Sequence, residues 1–353
     1  MPAKELLRSR LEDLNICSDY REILADYIEI FYRQIKLKSS NTNIFLQNGL
    51  LYAGSNRCIN IFDSKTLSSK KEISIEEGLQ CLQVMKNHVI LKDDKKPRFM
   101  HVLNLNNGID VKIALPREFN SMEQEDEMIY TAFDKSIKAF YSGDPKHSLD
   151  RVFDFNISLI RSYSDKINVI GYSKDSFDCG YFALINPKSL QPIECVDIKR
   201  VFGVTWGKNK CFFTSVVDNS LNVIHLDDPQ EIKRIGLQHL AKPRYLITSD
   251  DIDYVYIKDD SPGIIHVVDA QNNNFIKSIE INGLGLIKLI VFDKYVFVVS
   301  SHYVEIIDSV TNEIVRSPIR MPRMPSFIAL EGDMIYIKFS GSVIHIYSLY
   351  HEF

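Results

Sequence analysis

Short apolar runs separated by polar turns recur along most of this chain. The pattern is clearest between Arg244 and Ile281. Runs rich in β-branched and aromatic residues lie at Arg244–Thr248, Tyr254–Ile257, Ile264–Val268 and Phe275–Ile281, with Asp, Asn, Ser, Pro and Gly between them. Such runs favour strands, and such separators favour turns. The unit therefore predicts four short antiparallel strands.

Two polar marks repeat with the period of this unit. A polar residue closes each third strand at intervals of about 40 residues, a spacing typical of repeat architectures. These marks are Asp63, Asn104, Ser142, Asn186, Asp227, Asp269, Asp308 and Ser348. A second series lies in the turns between first and second strands, at Gly49, Asn87, Asp126, Asp165, Asn209, Asp251, Asp293 and Gly332. Both series have eight members, which predicts eight units.

The last unit lacks its outer strand. Its third strand, Val343–Tyr347, is followed only by a short C-terminal segment. Near the start of the chain, Arg33–Leu37 has the pattern of the outer strands Lys71–Ile75 and Lys277–Ile281. We expect it to pair with the C-terminal unit and close a ring, since closure removes the exposed sheet ends. The predicted fold is an all-β, eight-bladed β-propeller, with seven blades as the alternative if the weakly marked third unit is misread.

Residues 1–31 predict a short helical arm in front of a propeller at 32–353. Leu7, Leu11 and Leu14 have helical spacing, and Ser18 is a candidate N-cap for a second helix. The arm is expected either to pack on one face of the ring or to bind a second partner.

The units resemble the repeats of the WD-repeat and YVTN/quinoprotein-like β-propellers. The resemblance rests on the ends of third strands, Ile59–Thr66 and Val304–Thr311, and on the turns Asp134–Ile137 and Asp218–Leu221. It implies the propeller fold and leaves function open, because this fold hosts many activities. No Trp-Asp or Gly-His dipeptide occurs and Trp206 is the only tryptophan, so the tetrad that stiffens true WD blades is absent.

Composition narrows the classes of function. The chain has 42 basic and 46 acidic residues, a balance that argues against nucleic-acid binding. Its six cysteines are scattered, without the paired spacing of a zinc site, and are expected to be reduced thiols. No apolar leader and no membrane-length apolar run is found. These observations predict a cytoplasmic protein without membrane contact.

No residue pattern indicates catalysis. His101, His266 and His345 stand three places before the polar mark in different units, so they are expected to pack the blades and to bind no metal. No Gly-rich phosphate loop or Ser/His/Asp order is recognisable. We therefore expect no cofactor, no metal and no catalytic residue. The alternative is a propeller enzyme or small-ligand binder that uses the central channel.

Charges sort by loop type. The loops that join one unit to the next, with the turns between second and third strands, are expected to form a basic face, and the remaining turns an acidic one. The proposed partner-binding residues of the basic face are Arg117, Arg200, Lys242, Arg244, Arg320, Met321, Arg323 and Met324. Methionine, arginine and stiff prolines in Arg320–Pro325 are typical of interfaces. The sequence thus predicts an interaction platform for a protein or peptide segment, acidic or phosphorylated.

Overall fold

The computed structural model describes most of the chain from Arg33 to Ser348. The described ranges are 33–37, 43–55, 57–77, 79–85, 88–93, 95–96, 98–116, 118–142, 144, 147–176, 178–215, 217, 220–237, 245–258, 263–282, 286–315, 319–321, 324–331, 334–339 and 343–348. Every regular element within them is a β-strand. The predicted helical arm, residues 1–31, lies outside the described residues.

Within these ranges the strands form eight separate antiparallel sheets, the blades, each ordered from an inner to an outer strand. The first strand, β1 (Arg33–Lys36), belongs to the last blade. Blades 1 to 4 are β2 (Asn43–Gln47), β3 (Leu50–Gly54), β4 (Cys58–Asp63) and β5 (Ser69–Ser74); β6 (Leu79–Met85), β7 (His88–Asp93), β8 (Phe99–Asn104) and β9 (Asp110–Ala114); β10 (Ser121–Glu125), β11 (Met128–Phe133), β12 (Ser136–Tyr141) and β13 (Ser148–Val152); β14 (Asn156–Tyr163), β15 (Lys166–Tyr172), β16 (Cys179–Ile185) and β17 (Pro192–Lys199).

The second half of the ring repeats the arrangement, with one broken outer strand in blade 7. Blades 5 to 8 are β18 (Val201–Gly207), β19 (Lys210–Ser215), β20 (Ser220–His225) and β21 (Asp228–Gly236); β22 (Tyr245–Ile247), β23 (Tyr254–Lys258), β24 (Ile264–Asp269) and β25 (Asn274–Glu280); β26 (Leu286–Phe292), β27 (Tyr295–Ser300), β28 (Tyr303–Asp308), β29 (Glu313–Ile314) and β30 (Ile319–Arg320); β31 (Phe327–Glu331), β32 (Met334–Lys338) and β33 (Val343–Ser348). Both β29 and β30 pair with β28.

The N-terminal strand closes the ring, as the sequence predicts. Strand β1 pairs antiparallel with β33, with Arg33 opposite Ile346 and Lys36 opposite Val343. The next residue, Leu37, is 6% exposed and packs in the apolar cluster between blades 8 and 1. The predicted eight blades are confirmed, and the seven-bladed alternative is wrong because the third unit forms a complete blade.

The recurring polar marks are explained by the turns that they form. In five blades the mark's side-chain oxygen accepts hydrogen bonds of 2.8–3.3 Å from the amides two and three residues ahead, which makes an Asx turn. The residue four places after each of these marks has φ between 56° and 73°. These marks are Asp63, Asn104, Asn186, Asp269 and Asp308. The side chain thus fixes the turn from third to outer strand.

Apolar side chains fill the space between neighbouring blades. Ile137 of blade 3, for example, lies in one cluster with Ile160 and Val169 of blade 4, and all three are at most 1% exposed. A lone four-stranded sheet could not cover such a face, so each blade depends on its neighbours.

Tyrosine hydroxyls add a recurring bond between blades. At the third position of the second strand, the hydroxyl donates to the turn between the third and outer strands of the next blade. These bonds run from Tyr130 to the Pro187 carbonyl (3.1 Å), from Tyr256 to Asn312 Oδ1 (2.6 Å) and from Tyr336 to the Ser64 carbonyl (2.9 Å). They tie adjacent blades together in a chain that lacks the WD tetrad.

Lysines serve the same purpose in blades 4 and 5. The Nζ of Lys166 donates to the Leu226 carbonyl at 3.0 Å. The Nζ of buried Lys210 reaches the Ala270 carbonyl (2.7 Å), the Gln271 carbonyl (2.9 Å) and Asn273 Oδ1 (3.3 Å). Each ammonium satisfies carbonyl groups in the turn of the following blade.

Candidate partner-binding surface

The two faces of the ring are formed by different loops, as predicted. On the inter-blade face, loops from one blade to the next bond to the turns between second and third strands. The Ile75 amide, for example, donates to the Arg57 carbonyl at 3.0 Å. On the hairpin face, the other two sets of turns bond to each other, and the Ser142 amide donates to the Glu127 carbonyl at 2.8 Å.

Half of the predicted contact residues lie outside the described residues. These are Arg117, Lys242, Arg244 and Arg323. The backbone of Arg320 lies in β30, opposite Tyr303 of β28.

The two methionines of the predicted contact loop point in different directions. Met324 is 60% exposed and is available to a partner. Met321 is 2% exposed, and it packs with Phe297 and Phe339 in the cluster between blades 7 and 8. Met321 therefore does not lie at the surface, because an apolar side chain next to that cluster is more stable inside it.

Charges of both signs occur on the described part of the inter-blade face. Arg57 pairs with Glu77 at 3.4 Å, and Lys92 pairs with Glu118. Lys135 donates to the Asp154 carbonyl at 3.0 Å. Exposed pairs of this kind add little stability. Their carboxylates offset part of the positive charge of the predicted basic face.

A cluster of exposed apolar side chains lies at the inter-blade ends of blades 5 and 6. Phe202, Val217 and Tyr245 are 44%, 42% and 42% exposed. Phe202 and Val217 belong to the same end of the β18–β19 hairpin, where Val201 lies opposite Ser215. Strand β22, which begins at Tyr245, packs beside β18. We call these three side chains the apolar mouth.

A β-bulge explains the exposure of Phe202. The register between β18 and β19 shifts between Val201 and Gly203, so Phe202 is the extra residue of the bulge. A bulge re-aims the side chain at this point of a strand. An aromatic residue of the inner strand is thereby presented on the face of the ring instead of being buried between blades.

Arg200 flanks the apolar mouth. Its guanidinium lies 5.5 Å from the centre of the Tyr172 ring, and its backbone amide donates to the Asp178 carbonyl at 3.0 Å. The contact with the aromatic face restricts where the guanidinium can lie. Of the eight predicted contact residues, Arg200 and Met324 are the two with described side chains at the surface.

Phe202, Val217 and Tyr245 were not predicted from the sequence. Each falls in or beside an apolar run that reads as an ordinary strand. The bulge and the neighbouring position of β22 arise from the packing of blades, which a single run does not reveal.

The hairpin face carries an acidic cavity of about 930 Å³ between blades 3 and 4. Its acidic lining comprises Glu125, Asp126, Glu127 and Asp165. Burial, with Asp165 and Asp126 nearby, raises the pKa of Glu125 above its usual range, although a hydrogen bond from Ser162 opposes this. Among the described residues, no group bonds to the buried Oε2 atom of Glu125. The predicted acidic character of this face therefore holds at this cavity.

The three equivalent histidines are parts of the packing. His101 is 4% exposed, and its Nδ1 lies 2.7 Å from Asp110 Oδ2 on the outer strand of its own blade. His266 Nδ1 lies 2.9 Å from Ser278 Oγ. His345 packs edge-on against Phe339, and burial lowers its pKa. A search of the described residues finds no group of three metal-ligating side chains.

A cavity of about 450 Å³ lies in the central channel, and inner strands of blades 7, 8, 1 and 2 form its apolar wall. Phe45, Leu46, Ile290, Ala329 and Leu330 contribute to it, with Lys288 as a charged member. No His or carboxylate is among the described lining residues.

Among the described residues, no helix is long and apolar enough to span a bilayer.

Comparisons with known proteins bear on the fold. No family model and no curated protein matches the chain. Among solved structures, the computationally designed Ika8 protein is similar with a TM-score of 0.68 and 12% identity over 89% of this chain and 98% of that chain. The Dos1 propeller is similar with a TM-score of 0.67 and 11% identity over 91% and 95%. The Pan2 WD40 domain of Neurospora crassa is similar with a TM-score of 0.52 and 10% identity over 91% and 96%. Identities this low establish the shared fold alone.

Proposed function

Because the fold is that of WD-repeat and related β-propellers, we propose that this chain is an interaction platform that binds a protein segment on its inter-blade face. The apolar mouth is the observation that carries the proposal. The fold alone does not decide function, so the argument rests on this surface.

The composition of the apolar mouth fits a binding surface. Two aromatic side chains and a valine, all at the inter-blade ends of neighbouring blades, each have two-fifths or more of their surface exposed. Aromatic residues and arginine are enriched among the residues that dominate binding energy. A partner that covers Phe202 and Tyr245 would bury apolar surface that contacts water in the free ring.

Neighbouring charge suggests what the partner carries. Arg200 stands two residues before Phe202, next to exposed Lys199. Arg244 directly precedes Tyr245 in the sequence, and Lys242 lies three residues before it. These cations favour a segment with acidic or phosphorylated side chains beside an apolar anchor, since opposite charges speed association and fix orientation.

The remaining predicted residues form a second part of the proposed surface. Exposed Met324 lies between blades 7 and 8, and Arg320, Arg323 and Arg117 are proposed as basic contacts around the same face. Met321 is not included, because it is buried. A second partner bound through residues 1–31 stays a prediction.

An intracellular location is also part of the proposal. The four cysteines whose side chains the structure describes, Cys58, Cys179, Cys195 and Cys211, are free thiols. Unpaired cysteines are typical of reducing compartments.

The proposal is tested by comparing variants as bait in its native host. We expect Phe202→Ser combined with Tyr245→Ser, and separately Arg200→Glu, to lower recovery of the bound protein by about tenfold or more. The matched control is Ile193→Ser, because Ile193 is 52% exposed on the outer strand β17. Melting temperatures are measured for all variants, and the mouth variants should stay close to the wild type.

Equal recovery by the wild type and the mouth variants would overturn the proposal. An equal loss of recovered protein with Ile193→Ser would also overturn it, because capture would then depend on exposed apolar residues in general.

A further inference from the structure

A lysine faces the apolar part of the central channel. The cavity of about 450 Å³ is lined by residues of β26, β31, β2 and β6, the innermost strands of four consecutive blades. Lys288 lies on β26, and Ile290 follows it on the same side of the strand. The register of β26 against β27 shifts between Leu286 and Lys288, so a bulge immediately precedes the lysine.

Lys288 is the one ionisable side chain among the described residues that line this wall. The other polar lining side chain is Gln47. No carboxylate among the described residues pairs with the Lys288 ammonium. The Lys288 side chain is exposed, so its ammonium can pair with an anion that enters the channel.

Desolvation by the wall acts on the same group. It lowers the pKa of Lys288, and no neighbouring charge opposes or adds to this effect. Apolar lining side chains therefore lie near the ammonium, although Lys288 as a whole is exposed.

The innermost strands supply hydrogen-bond donors as well. Each inner strand pairs on one side only, with the second strand of its blade, so its other edge faces the channel. Unpaired amides on such an edge are ready to donate to a ligand. An anion beside Lys288 thus has both a charge partner and neutral donors within the same channel.

We propose that this part of the channel binds an organic carboxylate with an apolar body. The ammonium of Lys288 holds the carboxylate, and Ile290, Ala329 and Leu330 contact the body. A cavity of this size lies within the range of small-ligand pockets, which combine apolar walls with few polar groups. Inorganic phosphate fits less well, because it has no apolar body to contact these side chains. This site is independent of the partner surface at the apolar mouth.

Calorimetric titration with octanoate tests the site in the full chain. Octanamide keeps the apolar body without the charge, and acetate keeps the charge without the body. We expect octanoate to bind and the other two to bind at least about tenfold more weakly, since a charge-assisted contact and several methylenes are each lost.

Variants test whether Lys288 itself is needed for octanoate binding. We expect Lys288→Met to weaken octanoate binding at least about tenfold and Lys288→Arg to retain it. Lys294→Met is the matched control, because Lys294 is an exposed lysine of the same blade in the turn after β26 and should not affect binding.

The proposal is overturned if the wild type does not bind octanoate, if octanamide binds equally well, or if Lys288→Met binds as the wild type does. Loss of binding in Lys294→Met as well would also overturn it, because the effect would then come from net charge.

Discussion

Lys210 offers a direct test of the bonds between blades. Its side chain is buried, with 5% of its surface exposed, and its ammonium donates to three acceptors in the turn of blade 6 at 2.7, 2.9 and 3.3 Å. Burial lowers the pKa of Lys210, so part of the gain from these bonds is offset by desolvation. Lys210→Met keeps most of the side-chain volume and removes all three donors.

The expected cost follows from the acceptors that remain. Each buried acceptor without a donor costs about 1–3 kcal/mol, and the three are not additive because two belong to consecutive residues of one turn. We expect Lys210→Met to lower the free energy of unfolding by about 3 kcal/mol. For a ring of this length that unfolds as one unit, the melting temperature should fall by about 4 °C.

The matched variant is Lys166→Met. Lys166 is half-buried and donates to one carbonyl, that of Leu226. Its loss should cost about 1 kcal/mol and lower the melting temperature by about 1–2 °C. Differential scanning calorimetry measures both. Equal melting temperatures for Lys210→Met and the wild type would refute the reasoning, because the three bonds would then only balance the desolvation of the ammonium.

Three further predictions follow from other groups. Tyr256→Phe removes the hydroxyl that donates to Asn312 Oδ1. It should lower the free energy of unfolding, measured by urea denaturation, by about 1–2 kcal/mol. An unchanged free energy of unfolding would show that this bond adds no net stability. Glu125→Gln should raise the melting temperature at pH 7 and leave it unchanged near pH 4. The pKa of Glu125 in the folded protein lies above its ordinary value, so the carboxylate destabilises the fold once the pH exceeds this folded pKa. A larger increase in melting temperature at pH 4 than at pH 7 would contradict this. Octanoate affinity should fall as the pH rises through the lowered pKa of Lys288, because the ammonium then loses its charge and no other described lining residue titrates. The same fall in affinity in Lys288→Arg would contradict this prediction.

The periodic features of the fold were predictable because each one is a local device. Asp63 and Asp269 recur because an Asx turn needs a short side-chain acceptor at that place. Residues such as Gly49 and Asp126 recur because their turns require positive φ, which glycine, asparagine and aspartate tolerate best. Ring closure through Arg33–Lys36 was predictable for a different reason: one blade lacked an outer strand and one strand lacked a blade.

The candidate site was only partly predictable, because it depends on contacts between units. Arg200 was identified from its loop, but its neighbour Phe202 is exposed through a bulge that the apolar run does not reveal. Met321 and Met324 are three residues apart in one loop, and the packing of blade 7 against blade 8 decides which of them is buried. Lys288 interrupts an apolar run in the sequence, a signal that becomes informative once β26 is known to line the channel.

Site-specific photocrosslinking tests the central claim, partner binding at the apolar mouth, most directly. A photoreactive phenylalanine analogue is placed at Phe202 in one variant, at Tyr245 in a second and at Ile193 in a third, and each is expressed in the native host. We expect a discrete crosslinked protein at Phe202 and Tyr245 and none at Ile193. Crosslinks of equal strength at Ile193, or none at the two mouth positions, would contradict it.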